Sequence, residues 1–385
     1  MTEATASARP QSYSALAGNA ILAVGVLLTA VGVFADFRPG GFSNGFGLGQ
    51  ALETALGMAI VTLGLDWRRG TLDGWRESMA SLRPAAVAPL LAVIVQLALL
   101  VFVTAWFQIE NPAFAKQIVP LVAVGCVLHH IIPAPRRLSY FVALSVLGLV
   151  LVLGWVNAAW LIALTLGAAA VCHLPVRWPL RVGAIVLAGT ILGVMRVNAG
   201  ALPFSSGIWP VLGSILMFRI IVYAYDVRYA KEPVPKTWTA AYFLMLPNVV
   251  FPLFPVVDFA TMKRTYYDRE AFGIYQRGLE WMLRGLVHLL LYRAVYQNWT
   301  LAPEEVETGS QLVRYMVSTF LLYLRVSGTF HFIIGMLHLF GFRLPETHRF
   351  FYLASSFTDF WRRINIYWKD FMMKVVFYPV YFPLR

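Results

Sequence analysis

The chain has 385 residues, of which 59% are hydrophobic and 13% charged, and its formal net charge is +12. A charged fraction about half the usual one excludes an ordinary soluble domain and indicates a polytopic membrane protein. The basic residues lie in short loops between apolar runs, where they set topology and contact anionic headgroups. We therefore expect membrane lipids as partners, and not nucleic acid.

The N-terminal part is predicted to hold a disordered tail over residues 1–14 and transmembrane helices over residues 15–206. The tail lacks the basic start and apolar core of a secretory signal peptide. Cys126 and Cys172 both lie in apolar runs, without the spacing of a disulfide framework or a zinc site. Because irregular backbone cannot face lipid, the apolar runs must be helices or be enclosed by helices. The sequence predicts an all-α bundle with about ten to twelve membrane segments.

The composition changes near residue 207. Beyond this point Tyr, Phe, Trp, Arg and His accumulate inside the apolar runs. Ionisable side chains are costly inside a bilayer, so they are candidates for function. We predict that residues 207–385 form a functional membrane domain.

Two sets of ionisable residues in this domain have helical spacing. Glu280, Arg284 and His288 follow at intervals of four, which allows an ion pair or a contact with an anionic ligand. His331 and His338 lie seven apart on one face, as interior histidines or as a general base in a polar pocket. No carboxylate or cysteine in that stretch completes a metal site, so no metal is predicted.

The densest cluster of polar and aromatic residues is FTDFWRRINIYWKDF at 357–371. It belongs to the last of four notable stretches. The stretches are GSILMFRIIVYAYDVRYAKE at 213–232, YFLMLPNVVFPLFPVVDF at 242–259, YLRVSGTFHFIIGMLHLFGFRLPET at 323–347 and YLASSFTDFWRRINIYWKDF at 352–371. In this order they resemble landmarks of the membrane-bound O-acyltransferase (MBOAT) family. The resemblance is greatest to the bacterial branch that acetylates alginate and other surface polysaccharides.

The resemblance implies an MBOAT-like bundle with re-entrant segments around a tunnel. An acyl donor, usually acyl-CoA, would enter from the cytoplasmic side, and the acceptor hydroxyl of a polysaccharide or lipid would reach the centre from the other face. It implies no bound cofactor beyond this donor substrate. The protein would lie in the bacterial inner membrane as a multi-pass protein, and a partner membrane or periplasmic protein is a further expectation.

The resemblance also implies roles for individual residues. Asn365 stands at the reaction centre, where bacterial members usually carry His. It cannot act as a base, but it could orient a hydroxyl or hydrogen-bond a thioester oxygen. His331 stands where they usually carry Asp, and it joins His338 as a catalytic candidate. The donor-binding candidates are Arg362, Arg363 and Trp361. The two arginines could contact the donor's phosphates or act only as topology-setting charges, and the tryptophan could also anchor the interface.

Three functions remain open from the sequence. The first is an O-acyltransferase that moves an acyl group, by analogy acetyl. The second is an inactive or truncated relative that binds a donor or partner, because no histidine follows His348 where the family has a second one. This absence leads us to expect a C-terminally short chain and leaves enzyme activity undecided. The third is a transporter, for which the expected internal repeat is not evident.

Overall fold

The computed structural model describes residues 11–34, 48–80, 84–197, 203–249, 251 and 254–384. Within these ranges the regular structure is helical, and one isolated bridge joins Tyr266 and Phe342. The predicted all-α membrane class is confirmed. The α-helices are α1 (Gln11–Phe34), α2 (Leu48–Arg69), α3 (Asp73–Ala80), α4 (Pro84–Trp106), α5 (Val119–Ile131), α6 (Ala134–Leu153), α7 (Trp155–Val171), α8 (Trp178–Val197), α9 (Ile208–Ser214), α10 (Ile220–Tyr229), α11 (Lys236–Phe243), α12 (Phe259–Arg264), α13 (Ala271–Asn298), α14 (Gly309–Leu321), α15 (Leu324–His338), α16 (Phe357–Arg363), α17 (Ile366–Met372) and α18 (Tyr378–Leu384).

Six helical stretches in the described ranges are long and apolar enough to cross a membrane. Shorter apolar helices cover Ala17–Ala30 and Trp155–Val171. The predicted tail at 1–14 lies outside the described residues as far as residue 10, and the division near residue 207 stays a prediction. The six stretches are Val87–Trp106, Phe114–Ile131, Ala134–Leu153, Trp178–Val197, Ile208–Tyr229 and Gly309–His338.

Helices α13 and α15 pack at very short range because glycines face each other. A Cβ atom added at Gly285 would lie 2.6 Å from the carbonyl oxygen of Gly328. One added at Gly278 would lie 2.7 Å from the carbonyl oxygen of Gly335. Such small-residue contacts let two helix backbones approach closely. As a result, side chains of α13 lie directly against the backbone of α15.

The chain reverses after α15 at a turn that requires glycine. Gly341 has a φ of +87°, and a Cβ atom there would lie 2.2 Å from the ring of Tyr267. The Tyr267 N–H donates to the Gly341 carbonyl at 2.8 Å, which fixes the turn. Arg343 donates to Asp268 at 2.9 Å, and this hydrogen bond lowers the pKa of the Asp268 carboxyl. Residues 344–349 then run back beside α15.

The C-terminal helices are tied to the earlier ones by a three-residue ion cluster. Lys374, in the π-helical segment after α17, donates to both Asp226 of α10 and Asp258. Asp258 also caps α12, because its side chain accepts from the Thr261 N–H at 2.8 Å. The Asp226 side chain accepts from the Ala260 N–H at 3.0 Å. The cluster thereby connects α10, α12 and the segment that follows Asn365.

Candidate functional site

The turn between α16 and α17, which carries Asn365, pairs with residues 347–349 beside α15. The Ile366 N–H donates to the Thr347 carbonyl at 2.9 Å, and the Arg349 N–H donates to the Arg363 carbonyl at 2.9 Å. These backbone bonds fix the Trp-Arg-Arg motif against the segment that follows the Gly-Phe-Arg turn. The Asn365 turn is thus held beside Thr347.

Asn365 has a left-handed backbone, with φ of 41° and ψ of 63°. Its side-chain oxygen accepts from the Trp368 N–H at 3.2 Å and caps α17. Asparagine is one of the few residues that tolerate this conformation and also cap a helix. The oxygen accepts the capping hydrogen bond, so the amide NH₂, which donates, is the group of this side chain left to bind a ligand.

Three histidines from three elements form what we call the histidine cluster, which consists of His288, His331 and His348. The ring centroids of His288 and His331 are 5.4 Å apart, and those of His331 and His348 are 5.7 Å apart. His331 is 1% exposed and His348 is 2% exposed. Polar ring nitrogens so deeply buried usually form hydrogen bonds, and those that do not are candidates for a catalytic role.

Hydrogen bonding defines the tautomer of His331. Its Nδ1 lies 2.6 Å from the Ser327 carbonyl oxygen, so Nδ1 carries the proton and donates it to that oxygen. Its Nε2 is buried and has no hydrogen-bond partner among the described residues. The free nitrogen therefore carries a lone pair, and a neutral imidazole in this state can accept a proton.

The other two rings are held by hydroxyl groups. The His288 Nδ1 lies 2.8 Å from the Ser327 hydroxyl, and the His348 Nε2 lies 3.0 Å from the Tyr323 hydroxyl. The His348 Nδ1 is buried without a hydrogen-bond partner in the described ranges. In the described ranges, the histidine cluster thus contains two buried ring nitrogens without a hydrogen-bond partner, one on His331 and one on His348.

Thr347 joins the histidine cluster to the Asn365 turn. Its side-chain oxygen lies 3.3 Å from the His331 Nδ1, and its carbonyl accepts the Ile366 N–H. The predicted residues Asn365 and His331 therefore lie on two sides of one buried threonine.

The lowered pKa of His348 predicts that the protein loses folding stability in acid. Burial, with smaller contributions from His331 and His288, lowers the pKa of His348 from 6.5 to about 3. Between these values the unfolded chain binds a proton that the native chain does not, so the free energy of unfolding falls as pH falls. We expect His348→Gln to flatten this dependence in thermal unfolding scans in detergent from pH 7 to pH 4. Equal slopes for both proteins would contradict the assignment.

The third predicted catalytic residue, His338, lies outside the histidine cluster. Its ring stacks on Trp281 with centroids 6.1 Å apart, and Trp281 also stacks on His331 at 5.3 Å. The His338 Nδ1 lies 2.8 Å from the Ile334 carbonyl oxygen, the same contact to the carbonyl four residues earlier that His331 makes. His338 lines a separate cleft of about 490 Å³ that also contains Arg343. Its catalytic role stays a prediction.

The predicted donor-binding residues lie on α16. Trp361 is 52% exposed, and Arg362 is also exposed. Arg363 is half-buried and pairs with Asp359 at 2.9 Å. Arg362 thus has the more accessible charge, and neither arginine belongs to the histidine cluster. Contact of these residues with a donor stays a prediction.

Four polar residues of the site were missed by sequence reasoning. They lie at irregular positions or look like ordinary helix residues, so helical periodicity gives no signal for them. His348 follows the Pro-Glu turn closely, which is the only sequence hint. The missed residues are Tyr323, Ser327, Thr347 and His348. In the described part of the chain, no three His, Cys, Asp or Glu side chains are placed to hold a metal ion.

Comparison with known proteins supports the resemblance that the motifs indicate. No family model matches the chain. It is 27% identical over 213 residues to the probable alginate O-acetylase AlgI of Pseudomonas fluorescens. The chain resembles alginate O-acetylases. The AlgI proteins of Pseudomonas syringae pv. tomato and Pseudomonas putida match at 26% over 225 residues and 27% over 183 residues.

The similarity to AlgI covers only part of either chain. It includes 53% of this chain and 42% of the Pseudomonas fluorescens protein. For the other two, the matches cover 53% and 46% of this chain and 43% and 37% of the relative. The chain thus spans less than half the length of the curated relatives that it matches. These matches confirm the resemblance predicted from the C-terminal motifs.

Proposed function

We propose that this protein is a membrane-bound acyltransferase that moves an acyl group, by analogy acetyl, to a hydroxyl of a polysaccharide. A CoA-type thioester is the proposed donor, and the bacterial inner membrane is the proposed location. The observation that carries the proposal is that the buried Nε2 of His331 has no hydrogen-bond partner among the described residues. The Nδ1 of the same ring and the Asn365 turn both contact Thr347. The names of the AlgI relatives support the reaction class.

The proposed reaction is a direct transfer. The acceptor hydroxyl gives its proton to Nε2 of His331 as its oxygen attacks the thioester carbonyl carbon. The amide NH₂ of Asn365 donates to the carbonyl oxygen, which gains negative charge in the tetrahedral state. The carbon–sulfur bond then breaks, and the leaving thiolate takes the proton back from the imidazolium. The products are the ester and the free thiol, and His331 returns to its neutral form.

Donor recognition is proposed to involve α16. Arg362 offers an exposed guanidinium and Arg363 a half-buried one, and such groups form strong hydrogen bonds with phosphates. Trp361 beside them supplies an exposed aromatic face. Arg363 already pairs with Asp359, so we assign the larger share of phosphate binding to Arg362.

The function is tested with the purified chain in lipid nanodiscs. It is incubated with acetyl-labelled acetyl-CoA and with alginate or a neutral polysaccharide, and label in the polymer is measured. Base-labile label that depends on the protein is expected. Acetyl-CoA binding without transfer would instead support the donor-binding alternative, and the absence of both would contradict the proposal.

Variants of Asn365 separate its structural role from its proposed chemical role. Asn365→Asp keeps a capping oxygen and removes the NH₂ donor, so we expect near-normal thermal stability and at least about 100-fold slower transfer. Asn365→Ala loses the cap and strains the left-handed backbone, at a cost of about 2 kcal/mol in stability. Unchanged transfer by the Asp variant would rule out the amide as an oxyanion donor.

A further inference from the structure

A wide groove of about 960 Å³ lies between α8, α10 and the C-terminal helical segment that contains α18. Helix α8 is described from end to end, and none of its side chains is buried, so its groove face is uncovered. The proposed reaction uses none of the residues that line the groove. We call it the α8 groove, and the lining residues that matter are Trp178, Val182, Ile221, Arg228, Tyr378 and Phe382.

The walls of the α8 groove are apolar and aromatic. Val182 of α8 and Ile221 of α10 line it, and both side chains are exposed. On the third side, Tyr378 and Phe382 of α18 stack with ring centroids 5.7 Å apart. Ile221 precedes Arg228 by seven residues, which places it about 10 Å further along α10. The groove thus offers about 10 Å of apolar surface beyond the Arg228 guanidinium.

One end of the α8 groove lies at the end of two candidate membrane spans. Trp178 begins the span Trp178–Val197, and Tyr229 ends the span Ile208–Tyr229. The guanidinium carbon of Arg228 lies 4.7 Å from the centroid of the Trp178 ring and 5.3 Å from that of Tyr229. Trp and Tyr at the ends of spans lie at the depth of the lipid headgroups. The guanidinium is therefore held at headgroup depth, and the apolar walls extend from it towards the bilayer interior.

The Arg228 guanidinium has no anionic partner in the described part of the chain. It forms neither an ion pair nor a hydrogen bond with those residues, so its N–H donors are available to a ligand. Asp226, the carboxylate nearest in sequence, accepts from Lys374 instead. A phosphate would complete the site, because guanidinium groups bind phosphate oxygens by paired hydrogen bonds. Four bases and one acid flank Trp178 and Arg228, namely Arg177, Arg181, Lys231, Glu232 and Lys236.

We propose that the α8 groove binds one anionic phospholipid, with its phosphate on Arg228 and an acyl chain along Val182 and Ile221. A cation at one end of an apolar groove matches a phospholipid, whose phosphate and chains follow in the same order. The excess of bases favours an anionic lipid over phosphatidylcholine, whose headgroup carries its own cation. The bound lipid fills the space beside α8 and connects this helix to α18. This inference does not depend on the proposed reaction.

The test measures lipid binding to the full chain in detergent by native mass spectrometry, with phosphatidylglycerol and phosphatidylcholine as probes. The wild type should bind phosphatidylglycerol more tightly, and Arg228→Gln should weaken this binding by about 5-fold without a change for phosphatidylcholine. Ile221→Trp fills the groove without a change in charge and should weaken the binding of both lipids. The matched control is Arg196→Gln, which removes an exposed arginine from the other end of α8 and should leave both affinities unchanged.

Three results would overturn the inference. Equal phosphatidylglycerol binding by the wild type, Arg228→Gln and Arg196→Gln would mean that lipid surrounds the protein without a specific site. Competition by glycerol 3-phosphate as strong as that by the lipid would leave a phosphate site without a chain groove. A changed oligomeric state in Ile221→Trp with normal lipid binding would make the groove an interface between copies. None of these measurements includes an acyl donor, so they stand apart from the test of the proposed function.

Discussion

Replacing His331 by glutamine is expected to lower acyl transfer by about 100- to 10,000-fold while the protein stays folded. Glutamine can still donate to the Ser327 carbonyl, but it offers no nitrogen lone pair for the acceptor's proton. The measurement is the rate of label transfer from acetyl-CoA to polysaccharide at saturating donor, with stability checked by thermal unfolding.

The same helix supplies a matched control for His331. His338 is equally buried, and its Nδ1 faces the carbonyl four residues earlier, as that of His331 does. His338→Gln should therefore perturb packing similarly. Because His338 lies outside the histidine cluster, this variant should keep acyl transfer within a few-fold of wild type. If both variants lost the same activity, His331 would be a packing residue. If His348→Gln lost activity and His331→Gln did not, the base would be His348.

Removing the Lys374 charge is expected to destabilise the protein by about 3–5 kcal/mol. In Lys374→Met, Asp226 and Asp258 lose their shared cation, and the Asp226 side chain is only 9% exposed. An uncompensated buried carboxylate is far more costly than a lost surface pair. The free energy of unfolding in detergent is the measurement.

A neighbouring lysine provides the control for this prediction. Lys369 pairs with Asp370 at 2.9 Å, and both side chains are exposed, so Lys369→Met should cost less than about 1 kcal/mol. Adding Asp226→Asn to Lys374→Met should restore part of the loss. Equal destabilisation by the two methionine variants would contradict a buried ion cluster. Because Lys374 follows the helix that Asn365 caps, we also expect slower transfer in Lys374→Met.

Some local pairing could be predicted from spacing alone. The four-residue interval between Glu280 and Arg284 indicated an ion pair, and the two side chains lie 3.5 Å apart. Arg284 also pairs with Glu346 at 3.1 Å, across 62 residues of sequence. Spacing does not predict such a partner from a distant part of the sequence. His288 is a second example, because its helical face was predictable but its partner Ser327 was not.

The sequence by itself determined the helical membrane class, the charge distribution and the motifs around Asn365 and His331. These properties depend on composition and on residues close in sequence, which periodicity and capping preferences record. Only the tertiary structure decided that His348 joins His331, that His338 does not, and that Thr347 lies between the histidine cluster and the Asn365 turn. The physical reason is the close α13–α15 packing and the reversal at Gly341, which bring together groups that have no fixed spacing along the chain.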